Sequence, residues 1–203
     1  MKKLLSVLCI GCLCAFIACN SSSSSQDSVD SAKDMNDSMM PDSNSMMNGD
    51  TSAMATAAPV SEEDANWAVE IANAGMTEVE LSKLAVDKAT NPRLKDFATM
   101  MVTDHTKAGD KLKQIAATKN ITLPANLSDA SQKKLDALNK KKTGKDFDKE
   151  YIDDMLDGHK NAVDKLQKGS TDLKDADLKN FATETLPTVQ MHQDSIKAIA
   201  GKK

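Results

Sequence analysis

Apolar residues return every three or four positions through four long stretches of the chain, and this spacing limits the fold more than any other feature. It places them on one face of an α-helix. The first stretch carries Trp67, Ile71, Ala74, Glu78, Leu81 and Ala85, and the second Leu94, Phe97, Met101, His105, Ala108, Leu112 and Ile115. The third carries Ile152, Met155, His159, Val163 and Leu166, and the fourth Leu178, Phe181, Thr185, His192, Ile196 and Ile199. Ser61 followed by Glu62, Glu63 and Asp64 reads as an N-cap with a dipole-matched first turn. In "TNPRL", Asn91 caps the second helix and Pro92 takes its first turn. Residues 120–144 form a long connection with a short helix over Ser128 to Lys141, and "KGSTDLKDAD" is the last turn, with Asp175 as cap. Helices of roughly 40 Å joined by two short turns predict an all-α, ferritin-like antiparallel four-helix bundle over residues 61–203. The long connection between the second and third long helices suggests a crossover, with a plain up-and-down order also open.

The first 60 residues have another character. Lys2 and Lys3 precede an apolar run of fifteen residues, Leu4 to Ala18. That is short of the ~20 needed to span a bilayer, and it reads as a signal peptide over residues 1–18. "FIAC" resembles a bacterial lipobox, which makes Cys19 the expected lipidation site. All four cysteines lie at or before Cys19, so the folded part has none with which to form a disulfide. Asn20 stands where an aspartate commonly marks inner-membrane retention. The expected address is therefore the bacterial cell envelope, anchored by an acyl chain to the outer membrane and facing the periplasm.

Residues 20–60 hold six aspartates against Lys33 alone, a net charge of −5, and no aromatic residue. Such a segment buries too little apolar surface to offset its ordering entropy, so residues 19–60 read as a lipidated cysteine followed by a disordered tether. Met35, Met39, Met40, Met46, Met47 and Met54 fall within it. Thioethers select Cu(I), so this is a weak Cu(I) tract or a biased spacer.

The domain that follows has 23 basic and 24 acidic residues. No basic patch points to nucleic acid, and no phosphate loop or nucleophile elbow is present. Its distinctive feature is polar groups on core stripes. The three histidines of the chain, His105, His159 and His192, occupy one long helix each, and Glu78 sits on the remaining one. Glu78 and His105 are 13 and 14 residues from Asn91, and His159 and His192 are 16 and 17 from Asp175. Counting from the turns thus brings all four near mid-bundle. Residues three before the histidines are Val102, Leu156 and Val189, so the paired Glu-x-x-His ligands of di-iron bundles are missing. No catalytic residue and no ferroxidase chemistry are expected. What remains is one carboxylate and three imidazoles, a set for one divalent ion, Zn, Fe or Cu. Met101 and Met155, one turn before two of the histidines, are candidate outer neighbours. Asp104 is another, although adjacent helical residues point about 100° apart. The alternative is a buried polar layer that only sets helix register.

The segments "LSKLAVDKA", "LKDFATMMVTDHTKAGDKL", "FDKEYIDDMLDGHKNAVDKL" and "LKNFATETLPTVQMHQDSI" resemble the family called domain of unknown function 4142, over roughly Glu62 to Ala200. The resemblance implies a ferritin-like bundle in bacterial envelope proteins and no established activity.

Overall fold

The computed structural model describes residues 26–39 and 60–201. Cys19, the signal segment, Met40, Met46, Met47 and Met54 lie outside the described residues. Six helices follow in order: α1 (Ser28–Ser38), α2 (Glu62–Lys88), α3 (Pro92–Lys119), α4 (Asp129–Lys140), α5 (Lys145–Asp172) and α6 (Ala176–Ile199). The four long ones, α2, α3, α5 and α6, form the ferritin-like bundle. Three of them begin at a side-chain cap: Ser61, Asn91 and Asp175 accept backbone N–H groups of α2, α3 and α6, whereas α5 starts at Gly144 without one. Asn120 ends α3 in the left-handed conformation that asparagine tolerates. Pro187 is carried inside α6, which continues past it.

Two buried aspartates settle how the helix pairs meet. Asp148, in the first turn of α5, accepts the N–H groups of Thr90 and Asn91 at 2.9 and 3.1 Å, clamping the α2–α3 turn. Asp64, in the first turn of α2, accepts those of Lys174 and Asp175 at 3.0 and 2.6 Å, clamping the α5–α6 turn. The start of α5 therefore lies at the end of the bundle opposite the end of α3. Residues 120–144 must travel the length of the molecule between them, so the connection is a crossover. It joins parallel helices, and α2 packs on α3 and α5 while α6 packs on both of these as well. The short α4 lies along this crossover and docks on α2 through a ladder of Asn73, Thr77, Ser128 and Ser131.

The core is apolar at both ends. Toward the α2–α3 turn, Leu81, Leu94, Phe97, Met101, Phe147, Tyr151, Met155 and Ile196 pack together. Toward the other end Leu112, Leu173, Leu178 and Phe181 do so. Each such side chain contributes ~1.5–3 kcal/mol when fully buried. Some helices are turned slightly from the expected stripes. On α5 the fully buried row passes through Phe147, Tyr151 and Met155, leaving Ile152 and Val163 half-buried. Trp67 is also half-buried: it lies against Gly169, meets Phe181 edge-on at 6.3 Å, and donates its Nε1–H to the Lys165 carbonyl at 3.1 Å.

The segment read as a disordered tether departs from expectation at α1, which extends the ordered fold ahead of residue 61. Composition misses this helix because it docks through polar groups: only Ala32 and Asn36 are buried. Asn36 donates to the Thr122 carbonyl at 3.0 Å and accepts the Thr122 N–H at 2.7 Å. Ser28 and Asp27 accept the N–H groups of Asn126 and Asp129 at 3.1 and 2.6 Å, and Lys33 pairs with Glu70 at 2.8 Å. Thus α1 straps the crossover to α2. Among the described residues, no helix is long and apolar enough to cross a membrane.

Candidate metal centre

Glu78 of α2, His105 of α3, His159 of α5 and His192 of α6 meet between the two apolar ends of the core. One ring nitrogen of each histidine lies within 4.8 Å of one from each of the others. The ring centroids are 5.3–5.8 Å apart. His159 and His192 are 0 % exposed, His105 8 % and Glu78 4 %. Phe97 lies against the layer, its centroid 6.2 Å from that of His159 and 6.5 Å from that of His192.

Each ring has one occupied nitrogen and one left over. His159 Nδ1 is 2.8 Å from the Met155 carbonyl. A carbonyl can only accept, so Nδ1 carries the proton and Nε2 holds a lone pair. His192 Nε2 is 2.9 Å from Asp104 Oδ2, so a carboxylate acceptor leaves its lone pair on Nδ1. His105 Nδ1 faces Glu78 Oε2 at 3.2 Å. The remaining atoms, His105 Nε2, His159 Nε2 and His192 Nδ1, are buried with no protein hydrogen-bond partner. Ring nitrogens held on one side by an acceptor and free on the other are what a metal requires of histidine. This donor set fits one ion bound through three imidazoles.

Glu78, the expected fourth ligand, is in the cluster and lies along the Nδ1 edges of two rings, with Oε1 3.5 Å from His159 Nδ1. Gly158 makes room for it: a Cβ there would come 2.9 Å from Glu78 Oε1. Burial raises the Glu78 carboxyl to about 8, opposed by the charge of Lys134. Burial lowers His105 to about 3, with the other two histidines adding to the effect. His159 is lowered to about 4 by burial, against the raising influence of its bond to Met155. Both rings are therefore neutral at pH 7, the form that ligates.

Asp104 reaches the layer, but through His192 across the α3–α6 boundary rather than through its neighbour His105. The 100° step that separates it from His105 on α3 aims it at α6. Met101 and Met155 are fully buried in the adjoining core, where Met155 serves the layer with its carbonyl. Of the methionine tract, Met35 and Met39 are described, and both are exposed on or just beyond α1. The structure thus brings together the four stripe residues, with the candidate neighbour Asp104 placed against His192. The acceptor role of Met155 O could not be read from side-chain type.

Fold and site together define a ferritin-like helical bundle with a buried histidine–carboxylate cluster able to hold a metal. The chain belongs to the domain of unknown function 4142 family, whose sequence profile matches residues 49–199. Among curated proteins none matches it. Similar solved structures include a DUF305 fragment from Deinococcus radiodurans, with a TM-score of 0.60 and 10% identity over 70% of this chain and 98% of that one. CopM in its Cu(I)-bound form has a TM-score of 0.56 and 20% identity over 66% of this chain and 93% of that one. The Cu(II)-bound form of CopM gives 0.55 and 18% over 66% and 94%. At these identities the likeness is one of fold.

Proposed function

We propose that this protein holds one metal ion, Cu(I) foremost, through His105 Nε2, His159 Nε2 and His192 Nδ1, as a binding or sequestering module of the bacterial envelope. The observation that carries the reading is three buried ring nitrogens without protein partners, one on each of three histidines that bring ring nitrogens within 4.8 Å of one another. A layer built only to set helix register would satisfy its own polar groups, since each buried orphan costs ~1–3 kcal/mol. Charge favours a monovalent ion. Among the described residues Glu78 is the buried carboxyl group beside the rings; burial keeps it protonated at neutral pH, and release of that one proton on binding would leave Glu78 and Cu(I) neutral overall. A divalent ion leaves a further positive charge next to Phe97, with Asp104, whose side chain is 32% exposed, as its remaining counter-charge. Imidazole suits copper and zinc alike. The CopM fold, solved with Cu(I), Cu(II) and Ag, adds support for copper.

The test is titration of the metal-free protein with Cu(I), Zn(II) and Fe(II). One equivalent of Cu(I) should bind and stabilise by ~2.7 kcal/mol at a hundredfold excess over Kd, and His159→Ala should abolish the effect. No thermal response to any of the three ions would return the layer to a purely structural role.

The envelope address rests on the order of basic residues, apolar run, "FIAC" and serine tract. Cys19→Ser should release the protein from the membrane fraction, and a variant that still sediments with membranes refutes the acyl anchor.

A further inference from the structure

The histidine layer is sealed except on one side. His159 and His192 are wholly buried, whereas Glu78 and His105 keep a small exposure. Those two, alone of the four, line a cleft of about 490 Å³. Its rim includes Asp110 and Lys113 of α3 and Asn126 of the crossover, all exposed, and its inner end reaches Leu166 and Val189. Residual exposure and cleft lining thus agree on the same pair of residues.

The cleft wall contains two helix-interior glycines, Gly75 of α2 and Gly109 of α3. They stand 16 and 18 residues from Asn91, close to one height in the antiparallel pair. A Cβ at Gly109 would meet nothing within 4 Å, and one at Gly75 only His105 Nδ1, at 4.0 Å. Neither glycine is required by a close backbone approach. Within a helix glycine is otherwise a disadvantage. What the pair provides is width over His105.

We infer that this cleft is the passage by which the ion reaches the histidine layer, with Glu78 and His105 the first groups it meets and Gly75 and Gly109 the residues that keep the passage open. The inference rests on the metal reading above. It adds a direction: the carboxylate lies on the entry side, where it can strip water from a cation before the rings take it. A metal site buried this deeply needs such a path.

The test separates rate from affinity. Gly109→Phe fills the cleft from a position with free space, and Asn126→Trp narrows it from the roof; Gly109→Ala is the control. Stopped-flow Cu(I) uptake should slow by roughly tenfold or more in the Phe and Trp variants, with Kd within roughly twofold of wild type. The Ala variant should change neither. Uptake at the wild-type rate in both folded bulky variants overturns the passage.

A second arm needs no metal. Diethyl pyrocarbonate attacks neutral imidazole, and mass spectrometry should find His105 modified ahead of His159 and His192. Gly109→Phe should protect it. Modification of His159 or His192 as fast as His105 means the layer opens elsewhere and refutes the inference. Protection by Gly109→Phe in a protein that binds no ion overturns the metal reading while leaving the cleft as the way in.

Discussion

Gly158→Ala tests how firmly Glu78 is held, because two effects of opposite sign meet at one atom. In a helix interior, alanine is favoured over glycine by roughly 0.8–1 kcal/mol. An exposed site would simply gain that amount. At Gly158, however, the new Cβ would lie 2.9 Å from Glu78 Oε1. Ordinary contact begins near 3.5 Å, so the carboxylate must retreat by roughly 0.6 Å. The end of a glutamate side chain is normally free to do so. This one is buried and sits 3.2 Å from His105 Nδ1 and 3.5 Å from His159 Nδ1. Moving it strands buried polar groups at ~1–3 kcal/mol. The net expectation is a loss of about 1 kcal/mol, or about 2–4 °C in the melting temperature of a chain this size. The assay is thermal unfolding of the metal-free protein, by circular dichroism. A cycle with Glu78→Ala isolates the clash: in that background Gly158→Ala should stabilise, because the helix preference alone remains. A rise in melting temperature on Gly158→Ala in the wild-type background would refute the claim that Glu78 is fixed against the rings.

The histidine layer should give the metal-free protein a stability maximum near pH 6.5. His105 and His159, lowered to about 3 and about 4, bind protons more readily when unfolded, so their contribution grows as pH rises toward 6.5. Glu78, raised to about 8, binds its proton more readily when folded, so its contribution is full below the unfolded value of 4.5 and is lost as pH rises through about 8. Melting temperatures from pH 5 to 9 should fall above pH 6.5 by on the order of 1–2 kcal/mol equivalent, and Glu78→Gln should remove the fall. Asn36→Ala removes both bonds that α1 makes to Thr122 and should cost ~1–3 kcal/mol; an unchanged denaturation midpoint would mean that α1 adds nothing to the fold. Gly169→Ala would bring a Cβ to 2.7 Å from the Trp67 ring; a blue-shifted or broadened Trp67 fluorescence change with lowered stability is expected, and an unaltered spectrum would show that the ring does not rest there.

The long helices were legible in the chain because their causes are local. A stripe such as Leu94–Phe97–Met101–His105 has helical period whatever it packs on, and Ser61, Asn91 and Asp175 cap the residues beside them. The common height of Glu78, His105, His159 and His192 was legible too, since counting from a turn fixes distance along an antiparallel pair. Rotation about a helix axis and lateral order are not local quantities. The 100° between Asp104 and His105 hid the fact that α6 stands on that side and offers His192. The proton on His159 Nδ1 is placed by the Met155 carbonyl, a backbone atom that every residue type carries. The crossover path is set by Asp148 finding Thr90 and Asn91, 58 and 57 residues away. The strap α1 escaped composition because its hold on the bundle is a few directed hydrogen bonds rather than an apolar face. Sequence alone determined the helices and the level of the polar layer. Tertiary packing decided which nitrogens face inward, where Glu78 rests and which side of the layer stays open, because those depend on contacts between residues far apart in the chain.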